Sequence, residues 1–189
     1  VLVTKLEDEP TEKTYLMGYA YPWVSEAVLR DILPYADALA PFTYGFTEAG
    51  ELVEPDDALL LSLAREFGAQ TLLHLSTLTE QGNFSAARAA AVLQNDAARE
   101  NLIRNTVRTM HEKGFSGVDV DFEYLGRELA QSYAAFLEEL APRVHEAGGI
   151  LMAALAPKTS DDQLGALYEG HDYAAIGKAC DQVLLMTYE

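Results

Sequence analysis

Ser116-Gly117-Val118-Asp119-Val120-Asp121-Phe122-Glu123-Tyr124 alternates apolar and acidic side chains without a break from Val118 to Glu123. Successive side chains on a strand point to opposite faces, so Asp119, Asp121 and Glu123 share one face and Val118, Val120 and Phe122 the other. The apolar set is expected to pack beneath helices and the acids to face an enclosed interior, with Glu123 nearest its mouth. Like charges this close repel and burial raises the cost of each, so at least one carboxyl should keep a proton at neutral pH. A fold gains no stability from such a row, whereas a general acid requires it. Two other readings stay open: a solvated acidic edge strand, and a divalent cation held by oxygen ligands. The edge reading conflicts with the run's mid-chain place among apolar strands, and the lack of a His pair or HExxH speaks against zinc.

Outward from this run, short apolar stretches alternate with longer helical patterns. The predicted strands are 15–21, 38–44, 71–75, 117–123, 150–156 and 182–188. The helical patterns are 25–33, 56–67, 86–113 with an internal break, 127–147 and 173–179. Gly68, Gly114 and Gly148 each stand just past a helical pattern and just before a strand, where helices stop. Strand followed by helix, repeated, means parallel strands joined by crossover helices. An open doubly wound sheet and a (β/α)8 barrel compete. No GxGxxG or GxxxxGK turn follows the first strand, which removes the main support for a nucleotide-binding open sheet. Polar residues at alternate positions near the strand ends suit a barrel, whose interior and mouth receive them. The expected fold is therefore an α/β (TIM) barrel of which about six βα units are present. The chain starts at Val1 and stops at Glu189 directly behind an apolar run, so it reads as an excerpt with two strands lying beyond. Residues 1–13 read as an acidic lead-in and 14–189 as the barrel.

Composition narrows the partners. With 189 residues, 49% hydrophobic and 23% charged, the chain can bury one substantial core. A net charge of −17 repels phosphate backbones and anionic lipid, so neither nucleic acid nor membrane is an expected partner. Anionic wall glycans would also be repelled unless the site is locally neutral. The single cysteine, Cys180, permits no intramolecular disulfide and is expected to pack as a small hydrophobe.

These residues resemble glycoside hydrolase family 18, whose signature DGxDxDxE on the fourth barrel strand aligns with SGVDVDFE. LMGYAYPW resembles the family's first strand, LAPFTYGF the second, LMAALAPK the fifth and VLLMTYE the sixth. The stretch from Leu155 to Glu189 is similar to that of bacterial spore-cortex-lytic N-acetylglucosaminidases, which often carry LysM wall-binding repeats ahead of the barrel. The resemblance implies substrate-assisted, retaining hydrolysis, in which the 2-acetamido group of the sugar is the nucleophile. It implies that Glu123 is the acid and later the base, that Asp121 orients the acetamido group, and that Asp119 shares a proton or hydrogen bond with Asp121. It implies that the Tyr188 hydroxyl holds the acetamido carbonyl, beside Met186 as an apolar wall. Glu189 stands where the family usually has Asp, and Ser116 replaces the family's first Asp, as the cortex-lytic subgroup also tends to do.

Other residues are candidates on position alone. His74 and Ser76 alternate with Leu73 and Leu75 near the third strand's end, though His74 reads first as a hydrogen-bonded core histidine. Tyr44 could line the sugar site or simply pack. Tyr19, Tyr21 and Trp23 cluster at the first strand's end, where aromatic faces could stack on sugar rings or simply belong to the core or rim. Ala154 and Ala156 leave room for an acetamido methyl or for close packing. Lys158 and residues 168–172 occupy the loop after strand five, on the active-site end of a barrel. The expected function is a glycosidase cutting β-1,4 bonds beside N-acetylglucosamine in peptidoglycan, with a chitinase or endo-N-acetylglucosaminidase as alternative and a catalytically silent glycan-binding lectin as the reading from another class. The expected partner is a carbohydrate polymer, with no cofactor and no metal, the protein acting as a monomer outside the cell, at the wall or spore.

Overall fold

The computed structural model describes residues 14–79 and 81–188; the predicted lead-in and Glu189 lie outside the described residues. Six strands form one parallel sheet: β1 (Met17–Ala20), β2 (Ala38–Pro41), β5 (Gln70–Ser76), β6 (Gly117–Asp121), β7 (Ile150–Leu155) and β8 (Gln182–Leu185). A two-stranded antiparallel hairpin, β3 (Gly45–Phe46) and β4 (Leu52–Val53), sits between β2 and the helix that follows. The helices are α1 (Glu26–Ile32), α2 (Ala58–Phe67), α3 (Ala86–Leu93), α4 (Asp96–Lys113), α5 (Ala130–Glu146), α6 (Ala166–Glu169) and α7 (Tyr173–Ala179).

The strands neighbour one another in strict chain order, β1-β2-β5-β6-β7-β8. A doubly wound sheet reverses direction at a switch point, whereas sequential order with right-handed crossovers keeps every helix on one face. Side-chain parity agrees. Leu73, Leu75, Val118, Val120, Leu151, Ala153 and Leu155 belong to the core shared with the helices, while Ala40, Leu72 and Met152 cluster with Tyr19 and Leu184 on the opposite face. That face must be concave. The Tyr19 hydroxyl on β1 reaches Asp119 Oδ2 on β6 at 2.8 Å, although three strand spacings would separate them by roughly 14 Å in a flat sheet. The described chain is therefore an α/β half-barrel of six parallel strands with helices outside, as expected.

The predicted 86–113 helix divides at Gln94–Asn95, where the Asn95 side chain accepts from the backbone of Ala97 and Ala98 at 3.1 and 3.2 Å and starts α4 afresh. Gly114 ends α4 in the left-handed region at φ 75°, a conformation that costs any residue with a Cβ, and the Phe115 amide closes the turn on Met110 O at 2.9 Å. Two residues later β6 begins. The hairpin was not foreseen because two-residue strands carry no detectable period. It is held from outside by α4: Asn105 Nδ2 donates to Gly50 O and Asn101 Nδ2 to Ala49 O, at 2.9 and 2.8 Å. Cys180 packs against the core with its thiol pKa pushed up to about 12 by burial, which leaves it a hydrophobe and not a nucleophile. Among the described residues no helix is long and apolar enough to cross a membrane.

Candidate active site

Alternation along β6 and the two residues after it sets the acids at graded depth. Asp119 is wholly buried, Asp121 is 4% exposed, and Glu123, past the strand's end, is half-buried at the mouth. On the opposite face Val118, Val120 and Phe122 are fully buried, Phe122 stacking on Tyr133 and Phe136 of α5 with ring centroids 5.4 and 5.6 Å apart. Hydrophobic packing on one side thus drives the acids into the interior on the other. Tyr124, directly after Glu123, takes a left-handed conformation at φ 57°, which turns the chain away from the strand direction.

Above the acids lies a cavity of about 300 Å³ lined by Tyr19, Tyr21, Phe42, His74, Phe84, Asp121, Glu123, Ala154, Met186 and Tyr188. A second, of about 290 Å³, shares Phe84, Glu123, Met186 and Tyr188 with the first and continues past Tyr124, Ala156, Pro157, Leu167 and Tyr168. Glu123 therefore stands where two adjoining spaces meet. Eight side chains singled out in the sequence converge here: Glu123, Asp121, Tyr19, Tyr21, His74, Ala154, Met186 and Tyr188, with Asp119 beneath them.

The charges are arranged to retain protons. Burial raises the Asp119 pKa above the ordinary carboxylate value, against the smaller lowering effects of His74 and of the Tyr19 hydrogen bond. Burial, then Asp119, pushes the Tyr19 hydroxyl up as well, so it stays a donor. His74, 1% exposed, places Nε2 at 3.5 Å from Asp121 Oδ2 and 3.9 Å from Asp119 Oδ2, while Nδ1 meets Thr43 Oγ1 at 2.6 Å. One ring nitrogen thus meets Thr43 and the other faces the carboxylates, so both nitrogens have a polar neighbour. The core-histidine and cavity-wall readings of His74 thus hold together. Asp119 Oδ1 and Asp121 Oδ1 are buried without a hydrogen-bond partner among the described residues. Two bare carboxylate oxygens on one strand face are tolerable when one carboxyl of the pair is protonated. Among the described residues no three His, Cys, Asp or Glu side chains are grouped as metal ligands.

Tyr44 does not face the cavity, which corrects one expectation. It is fully buried outside the sheet, edge-on to Phe115, with its hydroxyl donating to Asp57 and receiving Lys113 Nζ at 2.8 Å. Strict alternation from Ala40 would have turned it inward. Pairing with β5 shows why it is not: Leu39 opposes Thr71, but Tyr44 opposes Leu75, so β2 carries one extra residue and reverses its parity. The reversal occurs around the cis Phe42–Thr43 peptide and gives Phe42 and Thr43 to the site. Phe42 stacks on the His74 ring at 4.8 Å. Both were missed in the sequence, as was Phe84, which lies in the loop after β5 where no period points to it. Trp23 also lies outside the lining: 77% exposed, it stacks on Tyr21 at 4.6 Å at the rim. Glu189 falls outside the described residues. Lys158 Nζ donates to His171 O at 2.7 Å, and His171 itself is buried between strand ends.

Comparison with known proteins follows the same lines. The family profile described as glycosyl hydrolases family 18 matches residues 16–189. A cortical fragment-lytic enzyme of Bacillus subtilis (strain 168) is 36% identical over 160 residues, covering 85% of this chain and 37% of that protein. The crystal structure of the spore cortex-lytic enzyme SleL from Bacillus megaterium QM B1551 superposes with a TM-score of 0.87 at 32% identity, covering 93% of this chain and 42% of that one. A class V chitinase from Pseudomonas fluorescens Pf-5 superposes with a TM-score of 0.85 at 25% identity, covering 92% and 54%. The chain spans less than half the length of the two cortex-lytic relatives and about half that of the chitinase.

Proposed function

The chain belongs to glycosyl hydrolases family 18, and from that premise we infer that it is the acid-bearing part of a glycosidase that cleaves bonds beside N-acetylglucosamine. The observation that carries this reading is the graded row of acids, a wholly buried Asp119 beneath Asp121 and a half-buried Glu123 at the junction of two cavities. A polymer lying across that junction has its scissile oxygen beside Glu123 and one sugar in each space.

Glu123 in its acid form donates a proton to the glycosidic oxygen as the bond to C1 breaks. The acetamido carbonyl oxygen of the same sugar attacks C1 and closes an oxazolinium ring. Asp121 orients the acetamido group and offsets the positive charge that develops on it, and the Tyr188 hydroxyl holds the carbonyl. Glu123, now a carboxylate, takes a proton from water, which attacks C1 and opens the ring with net retention. Ala154, Phe42 and Met186 supply apolar wall around the acetamido methyl. Burial pushes the Asp119 carboxyl above the ordinary range, which favours its sharing a proton with Asp121 below the site where positive charge forms.

Peptidoglycan of the spore cortex is the substrate we favour, with action at the spore wall, because of the likeness to the cortical fragment-lytic enzyme of B. subtilis. A chitin-type polymer is the second reading, supported by the likeness to the P. fluorescens chitinase. Digestion of cortex fragments and of chitin oligomers, read by mass spectrometry, separates the two; cleavage of chitin alone rejects the cortex. Glu123→Gln is expected to lower kcat by about 10²–10⁴-fold, the usual worth of a general acid–base group, while oligosaccharide binding persists. Unchanged turnover would reject Glu123 as the acid, whereas a wild type that binds oligosaccharides without cleaving them would leave a glycan-binding role. Activity is expected to survive EDTA, since no step passes through a cation.

A further inference from the structure

We propose that His171 is a positioning residue for Glu123, acting as a side-chain rung spliced between the ends of β6 and β7; this rests on the reading of Glu123 as the acid. The regular pairing of these strands runs from Gly117 opposite Ile150 to Val120 opposite Ala153. Continued for two residues, it would set Phe122 opposite Leu155 and bond the Ala156 N–H to the Phe122 carbonyl, as parallel ladders do. That bond is absent from its place. The Ala156 N–H donates to His171 Nδ1 at 3.0 Å, and His171 Nε2 stands 3.0 Å from Phe122 O.

The ring therefore replaces one backbone hydrogen bond with two and holds the strand ends apart by its own width. The next residue after Phe122 is Glu123, and the second cavity opens between Glu123 and Ala156. Both partners are backbone groups with fixed roles, an N–H that only donates and a carbonyl that only accepts. The neutral tautomer with hydrogen on Nε2 is the one form that satisfies them.

The surroundings keep the ring in that form. It is 1% exposed and lies 6.0 Å from the Tyr133 ring of α5. Burial is the main influence lowering its pKa, and Lys158, whose Nζ binds His171 O, adds to the lowering; the Phe122 hydrogen bond and Asp121 act the other way. Arg127, Glu169 and Asp172 line the shallow space on its outer side. Tyr173 completes the clamp: its hydroxyl donates to Ala156 O at 2.5 Å and accepts from Lys158 N at 2.9 Å.

Two variants of the full-length protein test the rung. His171→Phe keeps a ring but removes both nitrogens. Because displacing a reacting group by an ångström costs about 10²-fold, kcat should fall on the order of 10²-fold with KM changed less than about threefold. His171→Gln retains an acceptor and a donor about as far apart as the ring nitrogens, and should restore most of kcat. A general packing role predicts the reverse order, with the apolar Phe tolerated better than Gln. The 15N shifts of His171 in the wild type provide a readout independent of turnover, and should show the Nε2–H tautomer at neutral pH. Wild-type kcat in His171→Phe, failure of Gln to exceed Phe, or an Nδ1–H tautomer would each overturn the proposal. If His171→Phe does not fold, the Gln kinetics and the tautomer decide. A wild type inert towards every N-acetylglucosamine polymer would defeat the functional reading as well, whereas an active wild type with an indifferent His171 defeats this one alone.

Discussion

At the scale of single residues, the site contains two buried titratable groups whose pH effects on stability run in opposite directions. Asp119 has a folded pKa above its unfolded value. Its contribution to stability is full below about pH 3.9 and is lost as pH rises through the folded pKa. Asp119→Asn removes this dependence and can still accept the Tyr19 hydroxyl through its amide oxygen. The variant is expected to be more stable than wild type at pH 7, by about 1–3 kcal/mol as for other buried polar groups lacking a full set of partners. It should match wild type near pH 4 and have lower kcat. Urea midpoints at the two pH values check the sign, and equal midpoints at pH 7 would contradict it. His171 has a folded pKa below its unfolded value. Its contribution is full above about pH 6.5 and is lost as pH falls through the folded pKa, since protonation turns Nδ1 into a donor facing the Ala156 N–H.

At the scale of elements, β6 and β7 carry the site, and the start of their pairing is as constrained as its end. A Cβ on Gly117 would lie 2.3 Å from Ile150 O and 3.0 Å from Ile150 N, in the first rung of the pair. Gly117→Ala must push the strands apart at the bottom, tilting the row of acids above. The expected cost is about 1–3 kcal/mol, as for other overpacked sites, seen as a lower urea midpoint with unchanged m-value, together with reduced kcat. A midpoint within error of wild type would show that the sheet absorbs the methyl group. Beyond the sheet, β2 shows how one residue redirects an element. The extra residue before Tyr44 sends an aromatic that alternation would aim at the sugar out to Asp57 and Lys113, and brings Thr43 in to meet His74.

At the scale of the whole molecule, the net charge of −17 opposes the approach of anionic polymer while the cavity itself is largely aromatic and apolar. The long-range part of that repulsion is screened over about 10 Å at 0.1 M ionic strength. Raising salt from low to physiological levels should therefore increase kcat/KM for carboxylate-bearing wall fragments several-fold and leave neutral chitin oligomers unaffected. Parallel salt titrations of the two substrates measure this; an equal response of both would place the effect elsewhere.

Much of the architecture was legible in the chain because it rests on local periods. The strand–helix repeat, the glycine stops at Gly68, Gly114 and Gly148, and the two-residue alternation of Asp119, Asp121 and Glu123 are properties of neighbouring residues, and they were enough to predict parallel strands around an acidic interior. Tertiary structure decided whatever depends on residues distant in sequence. The curl of the sheet brings Tyr19 to Asp119 across 100 positions. The parity change in β2 appears only against its partner strand, and the place of His171 between two strand ends requires three segments to meet. Hydrophobic period is encoded one element at a time, whereas pairing register and the termination of a ladder belong to two elements at once, and no single stretch of chain contains them.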